Sequence, residues 1–170
     1  MMRITTLTLL LLWAVTTAFS QDFASSFIQK HGDKDLEIVS IGKQMLSMVG
    51  EMSAQEGDLK EALEGLESIK ILSSDAKDTA QKSFKNAYAM LTKKSNGFSE
   101  MMSFKEDDES TFIMAREEEG IVKDLVLLSS EGDSFNMICL SGNINVKTLG
   151  KLSSSMQIDK LSKLNKTQEK

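Results

Sequence analysis

Two four-residue segments place a serine and a lysine at the spacing found in acyl-serine enzymes. Residues 40–43 and residues 74–77 both read S-x-x-K, which in such enzymes pairs a serine nucleophile with a lysine. The companion motifs S-D-N and K-T-G do not occur, and a chain this rich in Ser and Lys is expected to contain such matches by chance. We therefore interpret Ser74 as the N-cap of a helix and predict no catalytic residues.

A single histidine and a single cysteine restrict the remaining chemistry. His31 would have to be the base of any Ser-His or Cys-His site, but it is expected as a solvated residue at a helix end, a position that the helix dipole favours. Cys139 alternates with Phe135 and Met137, which is typical of a buried structural thiol. One Cys and one His cannot complete a four-ligand zinc site or an intramolecular disulfide. We predict no metal and no cofactor.

Two acidic runs, residues 107–109 and 117–119, carry the carboxylates that a hard cation such as calcium prefers. Neither run has the EF-hand spacing, and both fall at predicted hairpin turns, where charge is simply solvated. The net charge of −5 comes without a basic stripe, which argues against a nucleic-acid partner.

A methionine stripe is the feature most suited to binding. Met45, Met48 and Met52 recur at helical spacing within residues 43–52. Methionine side chains are flexible and polarizable, so such a stripe can serve as a partner or ligand face. The same spacing is also typical of a helix packed on a core, and we expect Met45 and Met48 to be buried against the sheet.

The elements that would position these residues change character along the chain. The first half shows amphipathic helix patterns interrupted by two short strand patterns. Helices are predicted over residues 22–30, 43–52, 59–66 and 75–94, and strands over residues 36–41 and 69–72.

The second half has the period of β-strands. A first strand is predicted to place Phe98, Met102 and Phe104 on one face, and short charged or Gly-containing turns separate the later strands. Residues 126–128 and 137–140 are apolar on both faces, which predicts central strands. Val146 to Leu152 reads as a closing helix. The predicted fold class is α+β, with an antiparallel β-meander of about five to six strands and amphipathic helices packed on the sheet in a single domain.

The N-terminus has the three parts of a secretory signal peptide. Arg3 precedes an apolar run over residues 4–15, and Ala18 and Ser20 suit the positions that a signal peptidase recognises, so cleavage is expected between Ser20 and Gln21. The run is shorter than the ~20 residues of a membrane anchor. We predict a signal peptide at 1–20, one domain at 21–152 and a polar Lys-rich tail at 153–170, with no transmembrane segment in the mature chain. No lipobox cysteine is present, so the destination is the periplasm or the exterior.

Several of these segments together resemble one family of small exported proteins. The resembling segments are residues 36–46, 63–73, 121–128 and 137–144. Their order is similar to that in the domain of unknown function family 4252, exported or lipoprotein-type proteins of Bacteroidetes. The resemblance covers most of residues 22–152 and implies an envelope or stress-related role. It carries over no catalytic residues, and the missing lipobox is a departure from many members.

These observations favour a non-enzymatic accessory or protein-interaction module of the cell envelope, with an unidentified envelope protein as partner. The alternative is a small carrier that binds a lipid or other apolar ligand between sheet and helices, and a hydrolase-type enzyme comes third. A pocket rimmed by apolar residues would favour the carrier. A filled core with an exposed apolar patch would favour the interaction module.

Overall fold

A computed structural model describes residues 22–52 and 57–145 of the 170-residue chain, and for residues 57–59 it describes the backbone alone. The predicted signal peptide with its Ser20–Gln21 cleavage site, the closing helix over 146–152 and the tail over 153–170 lie outside the described residues. Within those ranges, no helix is long and apolar enough to cross a membrane.

The described chain forms α-helices and β-strands in an order close to the predicted one. The elements are α1 Phe23–His31, β1 Glu37–Gly42, α2 Lys43–Met52, α3 Gly57–Glu64, β2 Leu66–Ser74, α4 Lys77–Thr92, a 3₁₀ helix Lys94–Asn96, β3 Phe98–Glu106, β4 Glu109–Glu118, β5 Ile121–Glu131 and β6 Ser134–Ile144.

The six strands of the described ranges belong to one antiparallel sheet, in the order β1-β2-β6-β5-β4-β3. Strands β3 to β6 form the predicted meander, and tight turns connect them. At the β4–β5 turn, Glu119 and Gly120 have φ of 54° and 79°, the left-handed geometry of a two-residue hairpin loop. The strands predicted to be central, β5 and β6, lie in the middle of the sheet, which confirms the α+β meander.

Two hydrophobic cores cover the two faces of the sheet. Helices α1 and α4 pack on one face, and we call this the first face; α2 and α3 pack on the other, the second face. The first core includes Phe27, Leu72, Leu128, Phe135 and Met137. The second includes Leu46, Leu63, Leu66, Ile113 and Leu125. Because both faces are covered, β5 and β6 need apolar residues at successive positions.

The helix that was predicted to include Leu66 ends before it. Leu66 is the first residue of β2 and is buried in the second core. Between helix and strand, Gly65 accepts a hydrogen bond from the amide of Asn143 at 2.7 Å. A Cβ at position 65 would lie 2.1 Å from the Asn143 carbonyl oxygen, so only glycine allows this contact. The close approach of β6 therefore fixes where the chain turns from helix to strand.

The prediction that Ser74 caps a helix is wrong. Ser74 ends β2, and its hydroxyl donates to the carbonyl oxygen of Asp35 at 2.8 Å. Helix α4 begins at Lys77 after Ala76, whose side chain cannot cap it. The Ser74 hydroxyl instead forms a hydrogen bond with the backbone just before β1.

The predicted common face of Phe98, Met102 and Phe104 is also wrong for Phe98. The β3–β4 register shifts between Glu100 and Met102, where β3 carries a bulge. Because a bulge inserts one residue, the side chains after it change face. Phe98 consequently packs on the first core and Met102 on the second.

Candidate functional site

The methionine stripe lies on the outside of α2. Met45, Met48 and Met52 are 54%, 57% and 82% exposed, whereas Leu46 is only 4% exposed. The expectation that Met45 and Met48 are buried against the sheet is therefore wrong. With about 100° between successive residues, the apolar side chains of α2 span an arc of about 160°. In the described part of the chain, only the end of that arc at Leu46 is covered.

Helix α3 decides which end of the arc is buried. A Cβ at Gly50 would lie 3.9 Å from Cβ of Leu63, so Gly50 faces α3 at van der Waals distance. Leu46 follows Gly50 around the helix and enters the second core. Val49 comes next and is partly exposed, and the methionines lie beyond it. The stripe is thus on the side of α2 turned away from α3.

Exposed apolar side chains also occur on β1, which directly precedes α2. Ile38 is 44% exposed and Val39 is 52% exposed, on opposite faces of the strand. Strand β1 is at the end of the sheet, and no strand in the described ranges pairs with its outer side. Among the described residues, the Met stripe and β1 together form the largest group of exposed apolar residues that are close in sequence, and we call them the β1–α2 surface.

A second candidate, which sequence reasoning missed, is a polar cluster at the start of α1. Asp22 caps this helix by accepting the amide of Ser25 at 2.9 Å. Lys70 of β2 donates to Asp22 at 2.6 Å and to the Ser25 hydroxyl at 2.5 Å. The Ser25 hydroxyl donates to the same Asp22 oxygen at 2.9 Å.

The charges in this cluster determine what chemistry it could perform. Burial alone would raise the pKa of Asp22, but the hydrogen bonds from Lys70 and Ser25 outweigh it and hold that pKa below its usual value. Lys70 and the Ser25 hydroxyl both donate to the Asp22 carboxylate, so this arrangement resembles an ion pair with a helix cap more than a nucleophile with its base.

A polar row crosses the first face of the sheet beside this cluster. The guanidinium of Arg116 in β4 donates through two of its nitrogens to Asp124 in β5, whose side chain is 4% exposed. Ser141 in β6 donates to the other oxygen of Asp124 at 2.8 Å. Arg116 also covers the ring of Phe98 at 5.6 Å. Two features of the sequence could have indicated this polar row: an aspartate within an apolar strand, and the one arginine of the predicted mature chain.

The polar row and Asp22 line a cavity of about 280 Å³. Its other walls include Glu67, Glu118 and Lys123, so the lining is charged. In the described part of the chain, every buried side-chain nitrogen and oxygen has a hydrogen-bond partner. The cavity therefore offers a ligand no unsatisfied buried group.

The structure separates the serine and lysine of the second S-x-x-K segment. Ser74 bonds to Asp35, while the Lys77 ammonium pairs with Asp133 at 3.0 Å. In the first segment, Ser40 is an exposed residue of β1 and Lys43 begins α2.

The remaining candidates are His31, Cys139 and the two acidic runs. His31 ends α1, with its ring 5.5 Å from that of Phe27. Cys139 is buried in the first core, and burial together with the nearby charges of Asp22 and Asp124 raises the pKa of its thiol, which stays protonated and unreactive. The acidic runs lie at the hairpins on either side of β4, and among the described residues no three potential ligands converge on a metal position.

Comparisons with known proteins place the chain in a family without assigning a function. No curated protein and no solved structure matches it. The family described as a domain of unknown function, DUF4252, matches residues 29–152, which include every described strand and α2, α3 and α4. The match covers most of the chain, and the protein belongs to the DUF4252 family.

Proposed function

We propose that this protein is an exported, non-enzymatic interaction module of the cell envelope that binds a partner protein through the Met stripe of α2. The observation that carries the proposal is the exposure of Met45, Met48 and Met52 on a helix whose Leu46 side is buried. Single exposed apolar residues are ordinary on protein surfaces, but a contiguous stripe is typical of an interaction site.

The spacing of the stripe indicates the chemistry of the partner. Met45, Met48 and Met52 are separated by three and then four residues, the spacing of the contact positions between two packed helices. Glu51 and Gln44 border the stripe on one side and Val49 borders it on the other. The partner surface that fits is an amphipathic helix that presents its own apolar residues, to which flexible methionines can adapt.

The cavities support an interaction module over the carrier. The charged cavity beside Asp22 and a second one of about 390 Å³, lined by residues such as Lys34, Glu37 and Asp75, suit polar groups and not a lipid chain. The space between sheet and helices is occupied by the two cores. Apolar exposure is found instead on the outside of α2 and on β1.

The non-enzymatic part of the proposal is supported by the geometry of the serine–lysine contact between Ser25 and Lys70. Lys70 donates to the Ser25 hydroxyl and forms an ion pair with Asp22, and the hydroxyl itself donates to Asp22, so the lysine does not receive the serine proton. Export is supported by the signal-peptide pattern over residues 1–20. N-terminal sequencing of the mature protein should find Gln21 first, and a mature species that retains residues 4–15 would refute the export route.

The decisive experiment places a photo-crosslinking amino acid at position 48 in cells and maps the crosslinked peptides. We expect crosslinks to an amphipathic helical segment of one envelope protein. The triple variant Met45→Ser/Met48→Ser/Met52→Ser should lose capture of that protein while its melting temperature stays near that of the wild type. The matched control Gln44→Ala/Ser47→Ala/Glu51→Ala alters the polar side of the same helix and should retain capture.

Two other outcomes would contradict the proposed function. Equal capture by both triple variants would refute the Met stripe as the binding site. Crosslinks to lipid in place of peptide would support the carrier.

A further inference from the structure

The two edges of the sheet are protected very differently. Edge strand β3 contains a bulge and three charged residues, Glu100, Lys105 and Glu106. Edge strand β1 pairs with β2 in continuous register over six residues, and its one charged residue, Glu37, stands at its first position. Bulges and charges are the usual means of preventing a sheet edge from pairing with another strand. Strand β1 has no bulge and no charged residue after Glu37, and its apolar residues Ile38 and Val39 are exposed.

The charges that flank β1 make it complementary to itself. Glu37 begins the strand, and Lys43 follows its last residue; both are exposed. When two copies of one strand run antiparallel, the start of each lies beside the end of the other. Glu37 of one copy is then next to Lys43 of the other, and the pair occurs twice because the arrangement is symmetric.

We propose that β1 pairs in antiparallel fashion with β1 of a second copy of this chain and joins the two six-stranded sheets into one. The charges select the register in which Ser40 lies opposite Ser40 and Glu37 opposite Lys43. Val39 of each copy is then opposite Ile41 of the other, on the second face of the sheet. Four β-branched side chains meet at the centre of the interface, with an ion pair at each end.

The same symmetry determines where the Met stripes lie. The twofold axis is perpendicular to the joined sheet, so the second face of one copy continues into the second face of the other. Both α2 helices pack on that face, next to the shared edge. If the Met stripe binds a partner, the dimer presents a symmetric pair of partner-binding stripes, and this step alone rests on the proposed function. The pairing of β1 with β1 does not depend on the proposed function.

A cysteine at the symmetry axis tests the register directly. In antiparallel sheets, opposed residues have Cα atoms about 4.5–5.5 Å apart, which is within the range of a disulfide. Ser40→Cys should therefore give a disulfide-linked dimer on mild oxidation. The matched control Ser99→Cys lies on the protected edge strand β3 and should stay monomeric on a non-reducing gel. The native Cys139 is buried and should not interfere.

Sedimentation analysis of the purified protein tests the interface energetically. The wild type should show a concentration-dependent monomer–dimer equilibrium. Val39→Lys should weaken dimerisation by about 30-fold or more, the size of a hot-spot loss, while melting changes little because residue 39 is exposed in the monomer. Glu37→Lys and Lys43→Glu should each weaken the dimer by about 2- to 30-fold, as two exposed ion pairs would, and the double exchange should restore it.

A wild type that is monomeric throughout, or a dimer that withstands Val39→Lys and gives no Ser40→Cys disulfide, would overturn the proposal. A monomer that still crosslinks a partner at position 48 would overturn the dimer alone. A dimer whose Met triple variant keeps its partner would overturn the proposed function alone.

Discussion

At the scale of single residues, the charged groups of the first face form closed networks. Asp22 receives hydrogen bonds from Ser25 and from Lys70, and Asp124 receives them from Arg116 and Ser141. Both carboxylates are largely buried, so each needs the partners it has. Because these groups satisfy one another, we expect both networks to contribute to stability, and the contacts of Lys70 with Asp22 and Ser25 to hold α1 on the sheet.

The variant Asp22→Asn distinguishes the contribution of the helix cap from that of the ion pair. Asn caps a helix about as well as Asp, so the variant retains the bond from the Ser25 amide but loses the charge beside Lys70. We expect a loss of about 0.5–1.5 kcal/mol in the free energy of unfolding at pH 7, because the pair is partly exposed and burial of the carboxylate offsets part of its attraction to Lys70.

The pH dependence of this loss has a definite sign. The folded pKa of Asp22 is lower than its unfolded value of about 4, so its contribution is complete above that pH and disappears as the pH falls through the folded pKa. In urea titrations, wild type and Asp22→Asn should therefore converge below about pH 4. Asp133→Asn is the control, because its pair with Lys77 is exposed and worth less. A constant difference at all pH values would contradict an ionised Asp22.

Arg116→Met should be one of the most destabilising changes outside the cores. It leaves the buried Asp124 carboxylate without its counter-charge, which costs about 3–5 kcal/mol. The double variant Arg116→Met/Asp124→Leu should be less destabilised than Arg116→Met alone, since it removes the uncompensated charge. Chemical denaturation of both singles and the double measures this coupling. Additive losses would show that the two residues act independently.

At the scale of elements, the sequence pattern of α2 predicts where the helix begins and ends, whereas its buried side depends on packing. The pattern gave its limits, Lys43 to Met52, as the structure has them. It could not give the buried side, because apolar residues occupy nearly half of the helix circumference. The choice comes from α3, which lies against Gly50 and leaves Leu46 as the large buried side chain.

Melting temperatures distinguish the two sides of α2. Met48→Ala should change the free energy of unfolding by less than about 0.5 kcal/mol, as exposed substitutions do. Leu46→Ala, the matched control two residues away, should cost about 2–5 kcal/mol because it empties a buried position. At roughly 2–8 °C per kcal/mol, the Leu46 variant should melt several degrees lower. Equal losses of stability in the two variants would show that Met48 is buried in the core.

Other elements show which physical signals a single sequence contains. The turns before β4, β5 and β6 were predictable because Gly and charged residues mark them, and so was the central position of β5 and β6, whose residues are apolar on both faces. The bulge in β3 was not predictable, since no residue type announces it and it alone determines the face of Phe98. The polar row was missed because Arg116 and Asp124 become neighbours only through strand pairing.

At the scale of the whole molecule, the central strands connect the two cores. Strand β5 sends Val126 and Leu128 into the first core and Leu125 and Leu127 into the second. A disturbance of either core therefore reaches the other through the same strand. The edge strands differ, since β1 is exposed along nearly its whole length. Stability should accordingly decrease from the centre of the sheet toward β1.

Amide hydrogen exchange measures this gradient. The amides of β5 and β6 should exchange only through global unfolding, because both strands are paired on two sides and covered on both faces. In dilute protein, where the monomer dominates, amides of the edge strands β1 and β3 should exchange faster than those of the other strands, since one side of each edge strand is unpaired in the described sheet. Those of β2, which is paired on both sides, should be intermediate. Protection of β1 equal to that of β5 under dilute conditions would contradict the gradient and indicate that another segment of the chain covers this edge.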